Sequence, residues 1–167
     1  LPVLLLVHVA SAPGQTFGVA AFYPAWIQDL GLTRGQIGVA YGLGTLAAAA
    51  PMAFIGAAMD RWGGRAILTV VIVLFSGACW GISFAGNVVA LGIGFFFLRL
   101  LGQGSMTLIA SNTMAHWFNR RLGRVTGFSS LAIAAAIAFI PAMNLALIAD
   151  HGWRWTYRAW GVALCAV

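Results

Sequence analysis

Six long runs of apolar residues, separated by short polar gaps, constrain the fold more than any other feature of this chain. An apolar helix of about 20 residues, rising about 1.5 Å per residue, crosses the roughly 30 Å hydrocarbon core of a bilayer. Charged residues make up only 7% of the chain, whereas a soluble domain carries about 25%. The sequence therefore predicts an all-α, polytopic membrane helix bundle surrounded by the lipid bilayer.

The predicted helices follow these runs. They cover residues 3–27, 36–59, 66–85, 88–115, 125–149 and 155–167, the last of them cut short. Gaps this short make consecutive helices antiparallel neighbours. The first run is too long for the apolar part of a cleaved signal peptide, and it lacks the basic residues that precede one. Because the chain opens and closes inside apolar runs, we expect it to be a piece of a longer protein.

The basic residues are all arginine, and their distribution predicts the orientation of the bundle. Cytoplasmic loops accumulate arginine and lysine. The second and fourth gaps hold Arg61, Arg65, Arg120, Arg121 and Arg124, whereas the first and fifth hold Arg34 and Arg154. The sequence therefore predicts a multi-pass protein of the cell membrane with a cytoplasmic N-terminus.

Tryptophan side chains prefer the two membrane–water interfaces because their rings are amphipathic. With the predicted orientation, the tryptophans expected at the outer interface are Trp26, Trp153 and Trp155, and those expected at the inner interface are Trp62 and Trp117.

Several classes of function have no residues to support them. The arginines are divided between both ends of the helices and form no basic stripe, so we expect no nucleic-acid partner. Cys79 and Cys165 lie inside apolar runs, where a thiol behaves as a small buried hydrophobe. The sequence shows no phosphate-binding loop, metal-ligand cluster or nucleophile–base pair, so we expect no enzyme and no cofactor.

The gap after the second helix carries an unusual acid. Asp60 follows the end of that helix, where the helix dipole disfavours a carboxylate, so it needs a positive partner. Arg61, Arg65 and the N-terminal end of another helix are the candidates. An incidental acid within an arginine-rich loop is the alternative interpretation.

Glycines flank that acid on both sides. Gly56 lies one turn before Asp60 on the same face and would let another helix approach closely. Gly63 and Gly64 allow a tight reversal of the chain.

The stretch G-A-A-M-D-R-W-G-G-R, residues 56–65, resembles the signature between helices two and three of the major facilitator superfamily, G-x-x-x-D-R-x-G-R-R. The matching residues are Gly56, Asp60, Arg61, Gly63 and Arg65, with Gly64 in place of a basic residue. A second stretch, R-L-L-G-Q-G from Arg99, is similar to the family's R-x-x-x-G-x-G pattern on helix four, with a tighter spacing. The resemblance implies a twelve-helix transporter, of which this chain would be the N-terminal six-helix half and the C-terminal half the partner.

Other stretches are similar to monocarboxylate porters and oxalate/formate exchangers. They are G-Q-T-F-G-V-A-A-F-Y-P-A-W-I-Q-D-L-G-L-T-R from Gly14, H-W-F-N-R-R-L-G-R-V-T-G from His116, and G-W-R from Gly152. This resemblance implies alternating-access transport of a small solute, most simply a monocarboxylate or other organic anion. A sugar, another neutral solute or a drug remains the alternative cargo. A channel or a membrane-embedded receptor subunit is a further alternative, although polar residues do not follow one continuous face.

Arg99 carries the most chemical information. It lies about 11 residues into the fourth helix, so roughly 16 Å deep and near the midplane. An unpaired guanidinium there costs about 2.5–3.5 kcal/mol or more. We expect Arg99 to bind an anionic solute or to gate proton transfer. Pairing with helix-end carbonyls, or with an acid in the other half, is the alternative.

Four other polar residues are candidates for the solute or proton pathway. Gln103 lies one turn after Arg99 on the same face. Gln15 and Thr16 follow the Pro13–Gly14 break, where freed carbonyls can line a site. His8, in the first half of the first helix, is the fourth candidate because histidine side chains often carry protons, although a histidine in a helix is more often a packing residue.

Two asparagines and two glycine pairs have expected roles in packing. Asn112 and Asn144 are expected to make hydrogen bonds between helices. The pairs Gly38 with Gly42 and Gly77 with Gly81 are expected at close helix contacts.

Overall fold

The structure is a computed structural model that describes residues 2–117 and 122–166, and within these ranges it consists of helices without a β-strand. Four helices are long and apolar enough to cross a membrane: Arg34–Trp62, Gly64–Ile82, Val88–Trp117 and Gly123–His151. We call these spans 2 to 5, preceded by the helical pieces of span 1 (2–30) and followed by span 6, Trp153–Leu164. The predicted all-α membrane bundle is thus confirmed. Arg120, Arg121 and Val167, which entered the sequence predictions, lie outside the described residues.

Span 1 is broken, whereas the sequence predicts one helix over residues 3–27. Its parts are the α-helices Pro2–Ala10, Thr16–Ala20 and Tyr23–Leu30 and a short 3-10 turn, Ala12–Gly14. Pro13 lies in the 3-10 turn and has no backbone N–H to donate to the preceding turn. Pro24 lies in the first turn of the third piece, where its missing N–H costs nothing. The break at Pro13 and Gly14 is the expected one, and the interruption before Tyr23 is an additional one.

Two of the reversals take one residue each, so the helices on either side of them extend beyond the predicted bounds. Spans 2 and 5 end later than predicted, and spans 3 and 6 begin earlier. Gly63 alone separates span 2 from span 3, and Gly152 alone separates span 5 from span 6. Both have φ of 82°, a conformation that costs glycine little and other residues more. The tight reversal expected from Gly63 and Gly64 is therefore made by Gly63, because Gly64 is already the first residue of span 3.

Span 4 is not a uniform α-helix, contrary to the prediction for residues 88–115. It consists of an α-helix, Val88–Leu98, a π-helical segment, Arg99–Met106, and a second α-helix, Thr107–Trp117. Within the π-helical segment, the Ser105 hydroxyl donates to the carbonyl of Leu100, five residues earlier, at 2.7 Å. Gly102 and Gly104 weaken the preference for a regular α-helix there. Such π segments are rare and occur often at functional sites.

Span 4 is also the most buried of the four long helices. Its first half packs along the first half of span 2 and against span 3, span 6 packs along span 3, and span 5 lies beside spans 1 and 6. We call the end of the bundle where span 1 leads into span 2 the Asp29 end, and the opposite end, where span 2 leads into span 3, the Asp60 end.

An aromatic cluster closes the core toward the Asp29 end. Its members are Phe22, Trp26, Phe95, Trp153 and Tyr157, and ring centroids of neighbouring members are 4.3–6.3 Å apart. Trp26 is fully buried and Trp153 nearly so. The prediction that these two tryptophans mark a membrane interface is therefore wrong, because the neighbouring spans cover their rings. Trp155, Trp62 and Trp117 are exposed, as interfacial residues would be.

Close contacts between helices occur at other glycines than those predicted. A Cβ at Gly38, Gly42, Gly77 or Gly81 would meet no atom within 4 Å. The tight approach is instead between span 1 and span 4, where a Cβ on Gly102 would lie 3.0 Å from the Cα of Gly14. Spacing identified glycines on helix faces, but it did not show which faces meet a neighbour.

Candidate solute-binding site

Arg99 lies at the first position of the π-helical segment, roughly a third of the way along span 4. One of its terminal nitrogens donates to the hydroxyl of Thr16 at 3.2 Å and to the carbonyl of Gly14 at 3.4 Å. The carbonyl is accessible because span 1 is broken at this point. Arg99 is therefore held by the Gly14 carbonyl and the Thr16 hydroxyl at the break in span 1. This agrees with the expectation that the break exposes polar groups.

Tyr41 of span 2 completes the surroundings of the guanidinium. The carbon at the centre of the Arg99 guanidinium lies 5.1 Å from the centre of the Tyr41 ring, a cation–π distance. The Tyr41 hydroxyl lies 3.0 Å from the Thr16 hydroxyl. Three spans thus meet at one cation. Sequence reasoning missed Tyr41, although a tyrosine hydroxyl inside an apolar span needs a polar partner and so marks a polar spot.

A cavity of about 480 Å³ opens beside Arg99. Its polar lining consists of Thr45, Arg99, Gln103, Thr107 and Ser111, and the rest of its lining is apolar or glycine. Gln15 contacts this lining, since its amide nitrogen lies 3.4 Å from the Thr107 hydroxyl and 3.0 Å from that of Ser11. Arg99 and Gln103 therefore line this cavity and Gln15 contacts its lining, whereas Thr16 is linked to it through its hydrogen bond with Arg99.

The charge on Arg99 has only neutral partners among the described residues, where the one ion pair lies elsewhere, between Asp29 and Arg154. In addition, Nε of Arg99 and Oε1 of Gln103 are buried without a hydrogen-bond partner. Leaving such groups unpaired is costly, and nearly all buried polar groups in proteins are paired. An anion in the cavity would supply the countercharge that the described residues do not.

His8 is buried in the first piece of span 1, and its carbonyl accepts a hydrogen bond from Ser11 at 2.7 Å. It is not part of the lining of the Arg99 cavity. Its role in a proton pathway remains a prediction.

Span 2, predicted as one helix over residues 36–59, is divided by Ala50 and Pro51 into Arg34–Ala49 and Met52–Trp62. Gly56, Asp60 and Arg61 of the Asp60 motif lie in the second part and Arg65 lies at the start of span 3, whereas Tyr41, which contacts Arg99, lies in the first part.

Asp60, Arg61 and Arg65 are all exposed. Neither arginine pairs with Asp60 within the described part of the chain, and Arg61 instead lies 5.4 Å from the centre of the Trp62 ring. A Cβ at Gly56 would meet nothing within 4 Å. The local ion pair considered from the sequence is therefore not formed in this structure.

Asn144 makes the inter-helix hydrogen bonds expected of it. It is fully buried, it accepts from the indole N–H of Trp160 at 2.9 Å, and it donates to the carbonyl of Gly18 at 3.4 Å. Asn112 is exposed and makes no side-chain hydrogen bond with the described residues, so that expectation is wrong for it.

A polar contact at the Asp29 end ties span 1 to span 6. Asp29 accepts from the indole N–H of Trp153 at 3.0 Å and forms an ion pair with Arg154. Two hydrogen bonds stabilise the ionised carboxylate and so lower the pKa of Asp29 below its ordinary value. The larger effect comes from Trp153 and the smaller one from Arg154. Arg154 also donates to the carbonyl of Ala85, so it joins the end of span 3 as well.

No group of three or more histidine, cysteine, aspartate or glutamate side chains that could hold a metal ion exists within residues 2–117 and 122–166. A larger cavity of about 750 Å³ between spans 2 and 4 is lined by apolar residues and glycines apart from Gln36, so it offers no charge to a solute.

The fold and the site together define a polytopic α-helical membrane protein with a cationic cavity between its spans. The chain belongs to the major facilitator superfamily, whose family model matches residues 4–167. No solved structure matches the chain at a significant level.

Three characterised or named relatives are similar to parts of the chain. The riboflavin transporter RibJ of Trypanosoma cruzi is 28% identical over 67% of this chain and 24% of its own length. The cis,cis-muconate transport protein of Acinetobacter baylyi is 33% identical over 60% of this chain and 24% of its own length. The probable sulfoacetate transporter SauU of Cupriavidus necator is 26% identical over 90% of this chain and 34% of its own length. The matches thus span about a quarter to a third of these relatives.

Proposed function

We propose that this chain forms the N-terminal half of a secondary active transporter that carries a small organic anion by alternating access. The observation that carries the proposal is Arg99, a cation inside a membrane helix that borders a cavity and has only neutral partners among the described residues. Charged residues in such positions mark substrate and ion pathways, because their burial is too costly to be incidental.

The surroundings of Arg99 favour an anionic solute. A carboxylate or sulfonate can accept two parallel hydrogen bonds from a guanidinium, the strongest neutralising geometry available to arginine. The bonds to Thr16 and Gly14 use one terminal nitrogen of Arg99, and Gln103 and Thr107 add neutral hydrogen-bonding groups to the cavity lining. The cavity volume of about 480 Å³ lies within the range of about 300–1,000 Å³ typical of small-molecule sites.

The names of two relatives support the same cargo class. Muconate and sulfoacetate are both small dianions at neutral pH, and the proteins named for them match this chain. A neutral solute is the second candidate, since another relative is named a riboflavin transporter. In that case Thr16, Tyr41 and Gln103 would supply the hydrogen bonds and Arg99 would remain tied to Gly14.

The Asp60 motif serves in this proposal as a latch between the two halves, at the cytoplasmic end of the bundle. Asp60 and Arg65 are exposed, Gly56 has no neighbour on its Cβ side, and Asp60 has no ion pair among the described residues. These groups are therefore free to meet the C-terminal half in one state and to separate from it in the other. A latch of this kind needs to shift the two populations by only a few kcal/mol.

Solute uptake by the full-length protein in reconstituted vesicles tests the proposal. Labelled muconate, sulfoacetate, lactate, oxalate, formate and riboflavin are compared with and without a pH gradient, with Arg99→Gln as the paired variant. We expect saturable uptake of at least one carboxylate or sulfonate and its loss in Arg99→Gln. Uptake of riboflavin alone, unaffected by Arg99→Gln, would favour the neutral-solute candidate, and no saturable uptake of any solute would reject both.

A further inference from the structure

A second polar cavity, of about 380 Å³, lies between spans 1 and 2 toward the Asp29 end. Arg34, the first residue of span 2, lines it together with the hydroxyl-bearing residues Thr16, Tyr23 and Tyr41, and the remaining lining is apolar. This cavity is separate from the 480 Å³ cavity that Arg99 lines.

The two cavities are joined through residues that hold Arg99. Thr16 and Tyr41 line the second cavity, and their hydroxyls lie 3.0 Å apart. The same Thr16 hydroxyl accepts from Arg99 at 3.2 Å, and the same Tyr41 ring lies under the Arg99 guanidinium. The contact between Thr16 and Tyr41 therefore forms a partition, with Arg34 on one side of it and Arg99 on the other.

The spacing along span 2 places the two ends of this cavity about two helical turns apart. Arg34 precedes Tyr41 by seven residues, which corresponds to roughly 10 Å along the helix axis. A small dicarboxylate has a comparable length, so an anion can contact Arg34 while its other end approaches the Thr16–Tyr41 partition.

The charge around this cavity has one sign. Among the described residues, no carboxylate lines it, and Arg34 forms no ion pair. The acid near this end, Asp29, is already paired with Arg154 and bonded to Trp153. A cation in a cleft with low-dielectric walls raises the local concentration of anions and so the rate at which they bind.

We propose that this cavity is an anion-recruitment site, in which Arg34 first binds the carboxylate or sulfonate of the solute before the Thr16–Tyr41 partition opens to Arg99. This inference rests on the proposed function and adds a second site and an order of binding to it. Because Arg34 is exposed, its contact with the anion is weak and sensitive to salt, so it affects capture and not the later steps.

Transport kinetics give the first test. Arg34→Gln is expected to raise the KM for muconate several-fold at low ionic strength, with kcat unchanged and the difference lost in high salt. Arg34→Lys should retain most of the capture. Arg158→Gln removes an arginine from the same end of the bundle, but one that donates to Ser83 and does not line the cavity, and it should leave KM unchanged. An Arg34→Gln variant with the wild-type KM at low salt would overturn the inference.

A labelling experiment tests the cavity without relying on transport. Ile27, which is half-buried and lines the cavity, is replaced by cysteine in the full-length protein. Anionic and cationic methanethiosulfonate reagents are then applied to each face of the membrane in vesicles of both orientations. Labelling of the native cysteines, measured in the parent protein, is subtracted.

The recruitment site is tested by the ratio of the anionic to the cationic labelling rate at the introduced cysteine. We expect this ratio to fall several-fold when Arg34→Gln is combined with Ile27→Cys, and to stay unchanged with Arg158→Gln. An unchanged ratio in the Arg34→Gln protein would overturn the recruitment site even if muconate is transported. A lowered ratio without uptake of any anion would retain the cationic cavity and reject the proposed function instead.

Discussion

Arg99 and Thr16 are joined by a hydrogen bond of 3.2 Å although they are 83 residues apart in the sequence. The bond connects the π-helical segment of span 4 to the break in span 1, so each irregular piece of backbone is held by the other. Gly14 and Gly102 make this possible, since a Cβ on either would collide with the facing backbone.

The role of Arg99 can be tested by shortening its reach while keeping its charge. Lysine offers a point charge on a shorter side chain, so Arg99→Lys loses the planar fork with which a guanidinium can hold Thr16 and Gly14 and still bind a carboxylate through two parallel hydrogen bonds. We expect Arg99→Lys and Arg99→Ala each to reduce initial uptake at least about tenfold, the equivalent of about 1.4 kcal/mol. The protein should remain folded in the membrane, as measured by its amount and its elution as a single species. Normal uptake by both variants would exclude a role in solute binding.

The contribution of Thr16 is expected to be smaller than that of Arg99. Thr16→Val removes the hydroxyl and keeps the shape, which leaves Arg99 with the weaker bond to the Gly14 carbonyl and its contact with the Tyr41 ring. Because this bond is exposed and the contacts of Arg99 with Gly14 and Tyr41 remain, we expect its loss to cost about 0.5–1 kcal/mol. A several-fold loss of uptake in Thr16→Val, with Thr16→Ser close to wild type, is the expected result. A loss in Thr16→Ser with Thr16→Val close to wild type would mean that side-chain volume at this position matters more than the hydroxyl.

The latch assigned to Asp60 predicts a kinetic and not a binding defect. Asp60→Asn removes the charge that ties the two halves in one state, so it should slow turnover about tenfold or less while the Kd for the solute changes little. Asp150→Asn is a matched control, because Asp150 is also exposed but lies at the opposite end of the bundle. Turnover and equilibrium binding are measured on the same preparation. Unchanged turnover in Asp60→Asn would exclude the latch.

Packing between spans 1 and 4 predicts a large difference between two glycine substitutions. A Cβ at Gly102 would lie 2.5 Å from the fully buried Phe75 ring and 3.0 Å from the Gly14 Cα, so Gly102→Ala should destabilise the protein by about 1–3 kcal/mol. Gly77→Ala, also within a helix, places its methyl where nothing lies within 4 Å and should cause no loss. Thermal unfolding in detergent measures both. Equal melting temperatures would show that Gly102 is not closely packed between span 1 and span 3.

The polar contact at the Asp29 end predicts a dependence of stability on pH. Bonds from Trp153 and Arg154 lower the pKa of Asp29 in the folded protein. The stability that this carboxylate contributes is therefore present above the ordinary aspartate pKa of about 3.9, and it is lost as the pH falls through the lowered value. Wild type should be more stable than Asp29→Asn at pH 7, with the difference narrowing below about pH 4. A difference that is constant down to pH 3 would contradict this account.

The sequence predicted the parts of the site that depend on depth in the membrane. Arg99, Gln103, Gln15 and Thr16 are all polar residues within apolar runs. In the structure Arg99 and Gln103 line one cavity, Gln15 contacts its lining, and Thr16 is bonded to Arg99. Tyr41 was missed because span 2 gave no sign of which of its faces turns toward span 4. His8 was selected by the same criterion of polarity, but it does not line the cavity, because its own helical piece precedes the break.

The sequence by itself determined the family, the all-α architecture and the approximate positions of the long apolar helices. These properties are local, since hydropathy, helix rise and motif spacing depend on residues that are close in the chain. Only the tertiary structure decided that Trp26 and Trp153 are core residues, that Gly14 and Gly102 are the close contacts, and that Thr16 and Tyr41 hold Arg99. Those facts depend on which faces of distant spans meet. The physical reason is that hydropathy does not distinguish one apolar helix face from another, so the pairing of faces is fixed only when the helices pack.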